Sequence, residues 1–184
     1  MDFDKTINVI LYILNKLGPT SKTKLIKLLF FADFMHMQKY KRPITWSTYH
    51  RLKFGPVPSY VLDVINTIAK HRELPISEEH KKKFMSSIQV TKEYWGLMIS
   101  LKASKKPDLD ELSISDREII DKIIKAHGHK NAIQLSNEAH RHHAWQTDLK
   151  SRIIRYSNAF PDGKDKEFSQ FWENGIEEIE KMSD

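Results

Sequence analysis

The chain of 184 residues is 40% hydrophobic and 29% charged, enough apolar content for one globular core and too short for two full domains. Only 6 glycines and 7 prolines argue against a fibrous repeat or wholesale disorder, and the lack of cysteine excludes disulfides, thiolate metal sites, iron–sulfur clusters and thiol catalysis. Lysine plus arginine at 30 against 24 acids gives a net charge of +6, which suits an acidic protein surface or a nucleic acid and selects neither.

Phe3, Ile7, Ile10, Leu11 and Leu14 recur at helical spacing and predict a core-facing helix that Gly18-Pro19 ends. Thr20-Ser21 offers an N-cap to a second helix, in which Leu25, Ile26, Leu28, Leu29, Phe30, Phe31, Phe34 and Met35 are apolar on almost every side. Such a helix belongs at the centre of the fold. Lys22, Lys24 and Lys27 oppose its dipole in the first half, so an acidic group, inside the protein or on a partner, is expected to face them. The aromatic and β-branched run from Trp46 to Phe54 predicts a strand that turns at Gly55-Pro56. Pro58 can then start a helix carrying Val61, Leu62, Ile65, Ile68 and Ala69, fading between His71 and Pro75.

From Phe84 to Val90 and from Trp95 to Ala103 the period becomes two, with Thr91-Lys92-Glu93 as the hairpin connection. With the strand before Gly55 these make a single three-stranded antiparallel sheet, close to the minimum for a stable one. Ser104 to Leu112 reads as a polar linker. Ser115 to Glu118 reads as a capping box for a helix burying Ile119, Ile120, Ile123 and Ile124, closed by Gly128. Asn131 to His140 is a short helix burying Ala132, Leu135 and Ala139, and the path from Ala144 to Asp165 is not set by any pattern. Phe168, Phe171, Trp172, Ile176 and Ile179 predict a last amphipathic helix. The fold class is therefore mainly α with a small antiparallel β-sheet (α+β), a helical domain around a central apolar helix. No run approaches the ~20 apolar residues of a membrane span, and Met1 to Asp4 lacks a secretory flank. A soluble, cytoplasmic protein with no membrane partner is expected.

The densest chemical cluster is His140-Arg141-His142-His143, with Glu138, His127 and His129 upstream. It could ligate a transition metal, but adjacent imidazoles diverge on a helix and Arg141 repels a cation. A solvent-facing helix end is the better reading, and no metal is expected. Asp33 and His36 share a helix face without a nucleophile nearby, so they read as structural and not catalytic. No G-x-S-x-G, Walker A or G-x-G-x-x-G motif occurs, and Pro56 and Pro58 deprive the Gly55 to Pro58 loop of the amides that a phosphate cradle needs. No cofactor is implied. Lys39 to Arg42, Arg51 and Lys53, with Trp46 and Tyr49 between them and Lys81 to Lys83 beyond, mix cations with aromatics; this could be a nucleic-acid surface or a protein interface.

Three ordered motifs carry a resemblance: Lys24 to Asp33 (KLIKLLFFAD), Lys53 to Tyr60 (KFGPVPSY), and Leu135 to His140 (LSNEAH) followed by Trp145. Over about Met1 to Trp145 the chain resembles the Panacea, or SocA-like, antitoxin domain. Ala139 stands where the family commonly has Thr, and Phe54 where it commonly has Tyr. The resemblance implies a non-catalytic antitoxin of a bacterial or prophage toxin–antitoxin pair, whose partner is the cognate toxin. Neutralisation would occur by blocking the toxin or by delivering it to a protease. The alternative is a nucleic-acid-binding regulator of its own operon. Residues 1–145 would form the domain and 146–184 an extension packed on it, a candidate for partner specificity. Core packing does not account for Trp46, Tyr49, Arg51, Lys53, Tyr60, His140 and Trp145, which are the candidate partner-binding residues.

Overall fold

The first apolar stripe forms helix α1 (Phe3–Leu17), capped by the Asp2 side chain and ended by Gly18, whose φ of 75° lets the backbone leave the helix. The computed structural model describes residues 1–70, 74–93, 98–161, 167 and 171. Helix α2 (Lys22–Tyr40) follows and is buried on nearly all sides, including Leu28 and Phe30 at 0% exposure. It packs against α5 (Ile114–His127), α6 (Ala132–Arg141) and strand β3 (Gly55–Pro58), so it is the axis of the molecule. Among the described residues there are further helices α3 (Ser59–Lys70) and α4 (Glu78–Ser87), the single turn α7 (His143–Gln146) and a 3-10 turn (Tyr156–Ala159).

The strands make two three-stranded antiparallel sheets in place of the single sheet expected. The first has the order β1 (Thr20–Ser21), β5 (Met98–Ala103), β4 (Ile88–Glu93). The second has the order β3, β2 (Tyr49–Leu52), β6 (Ile153–Ile154). Three strand boundaries also differ from the expectation. Phe84 lies in the last turn of α4, because Ser77 caps that helix and Glu78 and Glu79 suit its N-terminal dipole end. Thr91 to Glu93 is paired strand, opposite Ser100 to Met98. The second sheet turns at Lys53-Phe54, and Gly55 opens β3 instead of closing β2.

Helix α5 starts two residues earlier than the motif suggested. Ser113 accepts from the Asp116 amide at 3.2 Å, and Asp116 returns the bond to the Ser113 amide at 3.0 Å. Glu118 is unavailable as a cap because it pairs with Lys39 and Lys122 at 2.6 and 2.7 Å. Asp116 is fully buried where α1, α2 and α5 meet, with Lys5 at 2.7 Å, His36 at 3.2 Å and Arg42 at 3.3 Å. Burial works against its charge, but bonds from His36, Lys5 and Ser113 outweigh it and hold the carboxyl well below the usual range. Of the residues whose packing had no assigned path, Ile154 and Phe160 are buried, whereas Leu149 and Ile153 face solvent. The fade at His71 to Glu73, the strand start at Trp95 to Leu97, and Phe168, Trp172, Ile176 and Ile179 lie outside the described residues.

Candidate functional site

The three lysines in the first half of α2 find acceptors other than acids within the protein. Lys22 donates to Asn66 Oδ1 at 2.9 Å, Lys24 to the Gly128 carbonyl at 2.5 Å and Lys27 to the Pro56 carbonyl at 2.7 Å. Carbonyls suffice because the Gly128 oxygen sits at the negative end of α5 and because a buried amine needs an acceptor more than a counter-charge. Lys27 is 1% exposed, and burial pulls its ammonium down to about 7.

Lys27 lies beneath the β2–β3 hairpin. Gly55, at φ 95°, brings the backbone so close that an added Cβ would stand 3.0 Å from Lys27 Nζ and 3.5 Å from His140 Nε2. Burial and the nearby Lys27 lower the His140 pKa, while a hydrogen bond to the Lys53 backbone raises it. Gly55→Ala is therefore expected to lose about 1–3 kcal/mol of stability, from the left-handed backbone and the crowding together. A denaturant midpoint equal to that of the wild type would contradict this reading.

On the other side of the hairpin, Arg51 pins the chain that follows α7. Its guanidinium donates to the carbonyls of Ser151 at 3.0 Å, Thr147 at 2.9 Å and Trp145, and lies 4.8 Å from the Trp145 ring centroid. The His140 ring stands 4.8 Å from the same indole. Arg51, Lys53, His140 and Trp145 thus converge, as elements far apart in sequence, around one hairpin. Only Lys53 of these four is exposed; the other three are half-buried and hold the hairpin.

The remaining expected contact residues lie elsewhere. Tyr49 is 1% exposed and donates to Asp33 Oδ2 at 2.8 Å, so it is a core residue closed to a partner in this conformation. Its place in an alternating strand could have signalled this, since Ile154 opposite it is also buried. Trp46 is half-buried, takes a left-handed φ of 56° and approaches the Tyr156 ring at 6.5 Å. Tyr60 ties α3 to α1 and α4 through Phe3, His80 and the Ser77 amide.

The histidine run separates by environment. His142 is half-buried, its ring packed against Phe30 and Phe34, its pKa pushed down to about 4 mainly by loss of solvent, and its Nδ1 accepts from the Ala144 amide at 3.2 Å. It is a neutral histidine resting on the aromatic core, which corrects the solvent-facing reading for this residue; His143 is exposed. Among the described residues no three His, Asp or Glu side chains come together in a metal-holding group. Asp33 and His36 serve separate networks: Asp33 accepts from Ile44, Thr45 and Tyr49, and His36 meets Arg42, Ser115 and Asp116.

Comparison with protein families matches residues 25–146 to the family described as antitoxin SocA-like, Panacea domain. The chain belongs to this family. The match contains α2 from Leu25 onward, the Lys27–Gly55–His140 contact and Trp145, and leaves α1 and the segment after Gln146 outside. No curated protein and no solved structure matches the chain. No helix among the described residues is long and apolar enough to cross a membrane.

Proposed function

We propose that this Panacea-domain protein is an antitoxin that neutralises a cognate protein toxin by direct binding, in the cytoplasm of a bacterium or of a prophage carrier, with no catalysis of its own. The observation that carries this is the match of two thirds of the chain to an antitoxin family. The reading is supported by the internal roles of Asp33, His36 and His142, which are spent on packing or internal bonding. The basic runs are largely spent as well, with Lys39 on Glu118, Arg42 on Asp116, Lys81 on Glu78 and Lys83 on Asp4. These pairs leave Lys53, Lys150, Arg152 and Arg155 as exposed cations open to a partner, and the salt dependence of binding separates a nucleic acid from a protein.

The Lys53 tip, held by Arg51, His140 and Trp145, is the proposed contact region, and the segment after Gln146 contributes to partner choice. The test is co-expression with the product of the adjacent reading frame. Growth rescue with a co-purifying complex is expected. Constant toxin levels during rescue indicate blocking, and falling levels indicate delivery to a protease. Absence of rescue and of complex, with salt-sensitive binding to operator DNA, would replace this reading by operon regulation.

A further inference from the structure

One face of the β3–β2–β6 sheet is covered at β3, where Val57 is 8% exposed, and open along β2 and β6. Tyr49 and Ile154 are paired and point inward, so alternation places His50, Leu52 and Ile153 on the opposite face, with Val57 beside His50. Leu52 is 41% exposed, Ile153 46%, and Phe54 at the adjoining turn 69%. Ile114 and Ile133 are also exposed, but each is the one large exposed apolar residue of its helix among those described. The three sheet residues instead belong to one small, pinned unit.

Cations rim this unit. Lys53, Lys150, Arg152 and Arg155 are exposed, and among the described residues none of them forms an ion pair. The acids nearby are Asp148, in the pinned loop, and Asp63 of α3, which interacts with His50. The free edge is closed to strand addition, because the Ser151 hydroxyl accepts from the Ile153 amide at 3.2 Å and donates to the Ile153 carbonyl at 2.8 Å. A partner must therefore use its side chains. Two of the three exposed apolar groups are aliphatic, which suits a protein better than bases that need aromatic platforms.

We infer that this outer sheet face and its hairpin tip are the docking surface for the toxin, and that the toxin segment bound there is acidic and carries apolar side chains. The inference rests on the antitoxin reading above. It assigns the surface to Leu52, Phe54 and Ile153 as apolar contacts and to Lys53, Lys150 and Arg152 as charge partners. The chain's own stretch from Asp162 onward has eight carboxylate side chains against three lysines, so it is the competing occupant that a test must separate.

The experiment uses the full chain and the product of the adjacent reading frame, treated with a carbodiimide that couples lysine amines to carboxylates in direct contact. Coupling of Lys53 or Lys150 to toxin Asp or Glu is expected. In parallel, Leu52→Ser/Phe54→Ser and Lys150→Glu/Arg152→Glu should each weaken toxin binding by about tenfold or more with unchanged melting temperature, and Ile133→Ser should not. Coupling only to the chain's own carboxylates beyond residue 161, or to a second copy, would overturn the inference. So would wild-type affinity in both double variants, or loss of operator DNA binding in them while toxin binding persists. In those cases the antitoxin reading stands if the wild type binds the toxin; if it binds none, both fall together.

Discussion

Asp33→Ala is expected to destabilise the protein by about 4 kcal/mol or more, enough to leave it largely unfolded at ambient temperature. Asp33 is 0% exposed and accepts from the Ile44 amide at 2.9 Å, the Thr45 amide at 2.8 Å, the Thr45 hydroxyl at 2.5 Å and the Tyr49 hydroxyl at 2.8 Å. Burial raises its pKa, and bonds from Thr45, Tyr49 and Ile44 oppose the rise. Removing the carboxylate strands two backbone amides that no rotamer change can redirect, each at a cost of about 1–3 kcal/mol. Asp33→Asn should cost less, because its carbonyl can still serve the amides while the hydroxyls rotate. Urea unfolding of both variants measures the order, and an alanine variant as stable as the wild type would refute this account of the core.

Lys27→Met is expected to act in the opposite direction. Burial takes the Lys27 ammonium from its ordinary 10.5 to about 7, and its charge in turn lowers the pKa of the neighbouring His140. Below pH 7 the folded state carries the whole penalty of that buried charge, roughly 5 kcal/mol at ~1.4 kcal/mol per unit. Between about pH 7 and 10.5 the unfolded chain binds the proton and the folded one does not, so the wild type gains stability as pH rises. The methionine variant lacks this titration and loses the bond to Pro56, worth about 1–2 kcal/mol. It should therefore be more stable than the wild type by about 3 kcal/mol at pH 6, with the gap closing or reversing by pH 10. A variant less stable at pH 6, or a gap independent of pH, would show that Lys27 keeps its charge in another way.

Both residues lie in α2, whose place at the centre was legible because a 19-residue helix with apolar groups on every face has nowhere else to go. The first helix and its stop at Gly18, the apolar face of α3 and the short helix capped by Asn131 were equally legible, since caps and helical periods are local. The three ordered motifs were enough for the family, and residues 25–146 bear that out. The burial of Tyr49 and the packing of His142 on the aromatic core were hidden by residue type, as both carry a polar group that reads as available until its partner or its apolar neighbours are seen.

What the sequence by itself determined is the set of strongly amphipathic helices, the absence of thiol chemistry and the antitoxin family, because each depends on residues near one another or on their order alone. Only the tertiary structure decided that the strands divide into two sheets, since the partners of β1 and β2 are β5 and β6, drawn from roughly 80 and 100 residues further along. It alone decided that Lys27 takes a carbonyl instead of an acid. It alone also joined Leu52, Phe54 and Ile153 into one surface. Pairing across such distances is chosen by which register buries the most apolar area while satisfying every backbone group, a competition over the whole chain that no local pattern encodes.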